Sequence, residues 1–214
     1  MKIGVVGLQG GVYEHVYMFR RVFAEEGISG EVVVVKKPGD LQGVDGVVLP
    51  GGESTTIQRL AKKVGLWDAL RDTVESGTPV MGTCAGAILL AKRVVDAKVG
   101  AARVETLSVL DVTLVRNAYG RQRESFEIDI EVPWGDKPFR AVFIRAPAIV
   151  EVGPGVEVLA TLSTERVPLI VPDAPPEVPV IVRQGGMLAT TFHPELSGDT
   201  RIHRYFVDIV RGRA

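Results

Sequence analysis

The only cysteine of the chain, Cys84, stands at the centre of Gly82-Thr83-Cys84-Ala85-Gly86, a Gly-x-Cys-x-Gly frame that can make a nucleophile of a thiol. The pentapeptide follows the apolar run Pro79-Val80-Met81 and leads into Ala87-Ile88-Leu89-Leu90-Ala91, which reads as strand, sharp turn and helix. At such an elbow the central residue is strained, and a Cβ on either flanking residue clashes where helix meets strand. The sulfur is then presented at the carboxyl end of a strand, with the helix's first amides and positive end aimed at it, which favours a thiolate. A lone cysteine is more often a small buried hydrophobe. What separates the two readings is whether the chain also supplies a base, an orienter for that base and donors for an oxyanion.

Three histidines could serve, at 15, 193 and 203. His15 falls in the first helical stretch and His203 in the last, where the simplest reading is structural, with His203 a partly exposed helix residue. His193 differs, because it ends the apolar stretch 187–192 and precedes Pro194, which biases it toward an extended conformation. In extended chain residues i and i+2 point the same way, so Glu195 lies beside the imidazole. A carboxylate there fixes the tautomer and favours the imidazolium, which in turn stabilises a thiolate. Gly51-Gly52 follows another apolar run and can turn a backbone amide toward the sulfur, with Ala85 giving a second. Each such donor is worth about 100- to 1000-fold in rate. The plainer reading of the same stretch is a turn before a helix, with Glu53-Ser54-Thr55 as its cap. Two further segments end apolar runs in arginine, Arg116-Asn117-Ala118-Tyr119-Gly120-Arg121-Gln122 and Phe143-Ile144-Arg145-Ala146-Pro147. Arg116 and Arg145 are candidates for holding a small carboxylate-bearing substrate, whereas Arg121 and Arg123 read as solvated strand ends.

These residues need a frame. Residues 2–8 form a nearly continuous apolar run, as in a parallel strand covered on both faces, and Gln9-Gly10-Gly11 ends it. Val12, Val16, Phe19, Val22 and Phe23 then fall at helical spacing up to the stop at Gly27. Strand runs at 32–35 and 46–49 and helical stretches at 55–61 and 67–74 continue the alternation, which implies parallel strands joined by right-handed crossovers. The second half changes character: 109–115, 125–132, 140–145, 156–162 and 178–183 are β-rich runs separated by turns, several of them expected to be antiparallel. Residues 167–180 carry five prolines and read as an exposed irregular loop, and from Asp199 onward Ile202, Tyr205, Phe206, Ile209 and Val210 mark an amphipathic helix.

With 214 residues, 46% apolar and 24% charged, one good-sized core and a single domain over 1–214 are expected. The balance of 25 basic and 26 acidic residues leaves no electrostatic footprint for nucleic acid or an anionic membrane surface. The apolar run at 1–8 is broken at Gln9 and again at Glu14 and His15, too short for a signal peptide or a membrane span. A single cysteine forms no internal disulfide, which fits a reducing compartment, and a cytoplasmic protein is expected.

Elbow cysteine, Gly-Gly loop and His-Pro-Glu together resemble the class I, triad-type glutamine amidotransferases. The ordered series Gly7-Leu8-Gln9-Gly10, Leu49-Pro50-Gly51-Gly52-Glu53-Ser54-Thr55-Thr56, Gly82 to Gly86, Arg116 to Gln122, Ser125-Phe126-Glu127, Phe143 to Pro147 and Thr191-Phe192-His193-Pro194-Glu195-Leu196 is similar, more narrowly, to the glutaminase subunits of pyridoxal 5′-phosphate synthase. That resemblance implies a flavodoxin-like α/β fold, with a mainly parallel central sheet, helices on both faces and antiparallel strands added in the second half. It implies hydrolysis of L-glutamine to L-glutamate and ammonia through a cysteine thioester, with ammonia passed through a tunnel to a (β/α)8-barrel synthase subunit. The barrel builds the cofactor from a pentose phosphate and a triose phosphate. Carried onto this chain, Cys84 is the nucleophile, His193 the general base and acid, Glu195 its orienter, and Gly52 and Ala85 the oxyanion donors. Glutamine contacts map to Gly52, Glu53, Ser54, Arg116, Ile144 and Arg145. Leu8, Gln9 and Gly10 face the synthase, whose docking switches the glutaminase on, and no metal or bound cofactor is implied. Two regions depart from the family pattern: 97–110 lacks a glycine expected near Ser108, and 167–180 is longer than usual. Two rivals share parts of the pattern, an amidotransferase serving another acceptor such as the imidazole glycerol phosphate pathway, and a non-catalytic or chaperone-like relative. The block from Asn117 to Gln122 argues against the first, and the intact His193 and Glu195 against the second.

Overall fold

The computed structural model describes residues 1–97, 100–101, 104–120, 125–171 and 174–214. The first half alternates as its periodicity requires: β1 (Lys2–Val6), α1 (Val12–Glu25), β2 (Glu31–Val35), β3 (Gly46–Leu49), α2 (Ser54–Lys63), α3 (Leu66–Glu75), β4 (Val80–Thr83) and α4 (Ala85–Leu90). The second half adds β5 (Ala91–Asp96), β6 (Gly100–Ala101), β7 (Leu110–Arg116), β8 (Phe126–Ile130), β9 (Phe139–Phe143), β10 (Ala148–Val152), β11 (Glu157–Ser163), β12 (Glu177–Gln184), β13 (Met187–Thr190) and α5 (Arg201–Val210).

Seven strands form the central sheet in the order β11-β12-β13-β4-β3-β1-β2. The five from β13 to β2 are parallel, and β12 and β11 extend the sheet antiparallel. Alternation along the strands sends Ile3, Val5, Val48 and Met81 to one face, where they meet Val16 and Phe19 of α1 and Ile202 and Phe206 of α5. Val6, Val47, Leu49 and Val80 go to the other face, against Ile57, Leu66, Leu70 and Ile88 of α2, α3 and α4. Each fully buried aliphatic or aromatic side chain contributes about 1.5–3 kcal/mol, so both faces are driven shut. The strand that leads to Cys84, β4, therefore has a neighbour on each side, with Leu49 of β3 beside Gly82 and Thr190 of β13 beside Thr83. Three carboxyl ends open side by side onto one crevice, the usual ligand position of such sheets.

A four-stranded sheet, β10-β7-β5-β6, and the hairpin β8-β9 complete the structure. Apolar patterning marks no strand at β5, β6 or β10. In the sequence Ala91 reads as part of the cysteine's helix, but it starts β5 directly after α4 with no turn residue to mark the change. β10 is a short segment after Pro147 whose strand character comes from its pairing with β7. The proline-rich stretch also differs from the expected exposed loop. Its last residues belong to β12, with Val178 and Val180 buried, and Val167, Leu169 and Val171 pack on the core. Pro179 is tolerated inside β12 because it faces Thr161 at an irregular part of the β11 pairing and lies beyond the residues that pair with β13. Arg121, Gln122, Arg123 and Pro172 lie outside the described residues.

Candidate active site

Cys84 has φ 49° and ψ −101°, the strained elbow that its sequence frame requires. Its amide donates to the Thr190 carbonyl at 2.9 Å, tying the turn to β13. Both flanking glycines are sterically obligatory: a Cβ at Gly86 would stand 1.9 Å from the Leu49 carbonyl oxygen, and one at Gly82 would stand 2.7 Å from Leu90 Cδ1. Three of the four non-glycine residues with positive φ among those described, Cys84, Asn117 and Arg145, line one cleft of about 290 Å³. Backbone strain is concentrated where the chemistry would be.

His193 closes the cleft opposite the sulfur. Its amide donates to the Val142 carbonyl at 2.9 Å, its Nδ1 lies 2.9 Å from Glu195 Oε1, and it lines the cleft together with Cys84. The expected contact forms, but not by the expected route. Pro194–Leu196 is a 3₁₀ turn, and this curl rather than an extended i, i+2 pair brings the carboxylate under the imidazole. Burial pulls the His193 pKa down, yet the electrostatic pull of Cys84 and Glu195 outweighs it and pushes it up to about 10. Glu195 is held below the usual carboxylate range: burial opposes this, and His15 and His193 overcome it.

The glycine pair is packed against the first loop. Gly51 accepts from the Gly11 amide at 3.1 Å, Gln9 Oε1 accepts from the Glu53 amide at 2.8 Å, and a Cβ at Gly10 would stand 1.8 Å from the Gly51 carbonyl oxygen. Leu8 and Gln9 are half-buried and Gly10 is exposed, so this loop joins the surface to Gly52. The plain capping reading is realised as well: Glu53 caps α2, accepting from the amides of Thr55 and Thr56 at 3.3 and 2.7 Å. The same carboxylate also takes Arg116 Nη2 at 3.2 Å. Asn117 Nδ2 in turn donates to Asp96 at 3.0 Å.

Gly52, Glu53, Ser54, Arg116, Ile144 and Arg145 all line the cleft with Cys84 and His193. The Cys84 sulfur lies 3.9 Å from the Ile144 carbonyl oxygen. Ser54 Oγ is buried and has no hydrogen-bond partner among the described residues. Glu195 stands behind His193, and Ala85 opens α4 directly after Cys84. Two residues read as merely structural are drawn in. His203 is completely buried rather than partly exposed, and His15, also buried, approaches Glu195. A signal was present for His15, since it falls among Val12, Val16 and Phe19 on the apolar face of α1, where a polar ring needs a partner.

Residues 5–211 match the SNO glutamine amidotransferase family. The chain is 51% identical to the pyridoxal 5′-phosphate synthase subunit PdxT of Staphylothermus marinus, over 97% of this chain and 98% of that protein. It is 52% identical to the protein of the same name from Aeropyrum pernix, over 99% of this chain and all of that one. A crystal structure of a glutamine amidotransferase superposes with a TM-score of 0.78 at 44% identity, covering 98% of both chains. A glutamine amidotransferase from Thermotoga maritima, at 14% identity and a TM-score of 0.56, shares the fold over 99% of this chain and 83% of its own. The chain belongs to the SNO glutamine amidotransferase family.

Proposed function

We propose that the chain is the glutaminase subunit of a pyridoxal 5′-phosphate synthase, acting as one glutaminase domain over 1–214. The observation that carries the reading is the line Cys84, His193, Glu195 at the ends of adjacent strands, facing a cleft with Arg116, Arg145 and Glu53 on its walls. The Cys84 thiolate attacks the side-chain amide carbon of L-glutamine, and the amides of Gly52 and Ala85 receive the oxyanion. Each donor supplies about 100- to 1000-fold in rate. His193 then gives its proton to the departing nitrogen, the C–N bond breaks, and ammonia leaves a γ-glutamyl thioester. In the second half His193 takes a proton from water, whose oxygen attacks the thioester, and L-glutamate and the thiol are released. Glu195 keeps Nδ1 protonated so that Nε2 faces the reaction throughout.

Gly52, Glu53, Ser54, Arg116, Ile144 and Arg145 bind the substrate, the arginines suiting its α-carboxylate. Leu8, Gln9 and Gly10 form part of the surface for the barrel-shaped synthase subunit, which receives the ammonia. Their packing on Gly51 and Gly52 gives a docked partner direct purchase on the oxyanion loop. No helix among the described residues is long and apolar enough to cross a membrane. A nucleophilic thiol must stay reduced, which favours the cytoplasm. The test is ammonia release from glutamine by the chain alone and with a pyridoxal 5′-phosphate synthase barrel subunit from the same organism. Little turnover alone and a large rise on mixing supports both activity and partner. Equal turnover in both removes the partner from the reading, and none in either, with complex formation confirmed, rejects the activity.

A further inference from the structure

The carboxylate that orients His193 has a second imidazole on its far side. His15 Nε2 lies 3.3 Å from Glu195 Oε2 and 3.1 Å from Thr83 Oγ1, while His15 Nδ1 lies 2.9 Å from His203 Nε2. Both histidines are fully buried, and Oε2 has no hydrogen-bond partner among the described residues, with His15 Nε2 the ring nitrogen that faces it. His203 on α5, His15 on α1 and the turn carrying Glu195 and His193 thus make one buried line ending at the nucleophile.

The proton positions along this line follow from chemistry. A bare Nε2 on His15 would set its lone pair against the Glu195 carboxylate, so Nε2 carries the hydrogen, bonded to the Thr83 hydroxyl with its positive N–H end beside Oε2. On a neutral ring Nδ1 is then bare and must accept from His203 Nε2–H, since two bare nitrogens 2.9 Å apart repel. His203 Nδ1, which has no partner, is left bare rather than as an orphan N–H. The charged or titratable groups facing His15 are Glu195 from the turn, His203 from α5, His193 beyond Glu195, and Glu14 on its own helix. Burial holds His15 neutral against the pull of Glu195, with His193 adding to the effect, and burial likewise keeps His203 neutral. Those facing Glu195 are His15 and His193.

We propose that His15 is a positioning residue of the triad, a neutral Nε2–H tautomer fixed by His203 that holds Glu195 anionic and aimed at His193. Its kinetic consequence rests on the glutaminase reading, while its proton assignment does not. The first test is therefore the tautomer itself, from nitrogen-15 correlation spectra of the histidine rings in the intact chain near neutral pH. Signals are assigned by their loss in His15→Gln and His203→Gln. The expected result is protonated Nε2 and bare Nδ1 on both rings. An imidazolium or an Nδ1–H tautomer at His15 overturns the proposal, whether or not the chain hydrolyses glutamine.

The second test uses the complex with the barrel subunit. His15→Leu should lower kcat by roughly ten- to a hundredfold with KM unchanged, and should move the acid limb of the pH profile upward, because Glu195 has lost the N–H dipole facing Oε2 and protonates more readily. His15→Gln, whose amide can restore a donor near the Nε2 position, should bring the limb back. A limb that stays put in His15→Leu, or an equal loss in the two variants, would show a packing role only and overturn the proposal.

Discussion

The imidazole of His193 rests on Gly51: a Cβ there would stand 2.3 Å from His193 Cε1 and 2.7 Å from Nδ1. The first glycine of the pair therefore makes room for the imidazole, and the second makes room for Gln9, whose Oε1 would stand 2.5 Å from a Cβ at Gly52. Gly51→Ala should displace the ring or the loop by a fraction of an ångström to an ångström and lower kcat by about 100-fold. KM and the urea midpoint should change much less. A loss confined to stability would contradict the account.

That pair shows how far the residues could be read without coordinates. The elbow, the pairing of His193 with Glu195 and the alternation of parallel strands and helices that frames them were legible, because parallel strands and glycine-framed turns leave local marks in apolar periodicity. The steric reason for Gly51 was not, since it depends on His193, which is distant in sequence and meets it only through β13. The curl at Pro194–Leu196 was likewise hidden, as proline before glutamate suits either an extended chain or the start of a 3₁₀ turn. His15 and His203 carry their meaning in a contact between α1 and α5 that periodicity on either helix alone does not reveal. β10 is a strand because β7 lies beside it.

Ser108 occupies the left-handed region at φ 59°, where the resemblance led us to expect a glycine. Relief of left-handed strain is worth about 1–2 kcal/mol, and the extra chain entropy of glycine offsets about 0.5–1 of it. Ser108→Gly should therefore stabilise the fold by roughly 0.5–1 kcal/mol, read from urea unfolding, with glutamine turnover unaltered. Unchanged or reduced stability would show that the Thr106–Ser108 hydroxyl contact at 2.9 Å outweighs the strain.

Arg116 is held by Glu53 at 3.2 Å and faces the cleft. Lysine keeps the charge but not the fork that suits a carboxylate. Arg116→Lys should raise KM for glutamine about tenfold or more with a smaller change in kcat, because the group it binds is remote from the reacting carbon. An effect on kcat alone would place Arg116 elsewhere in the mechanism.

A histidine whose pKa rises on folding stabilises the native state fully below its unfolded value and loses that contribution as pH climbs through the folded one. For His193 the window runs from 6.5 to about 10, and Cys84 supplies part of the shift. Urea midpoints should accordingly fall across that window more steeply in the wild type than in Cys84→Ala. Parallel curves would mean that sulfur and imidazole do not share a charge pair.

The central claim is that Cys84 forms a covalent γ-glutamyl thioester, and intact-mass measurement after acid quenching tests it most directly. With glutamine and the synthase barrel present, the wild-type chain should carry a γ-glutamyl adduct localised to Cys84 by peptide mapping. Cys84→Ala should carry none and release no ammonia above background. Steady turnover by Cys84→Ala, or an adduct mapped to another residue, would contradict the account.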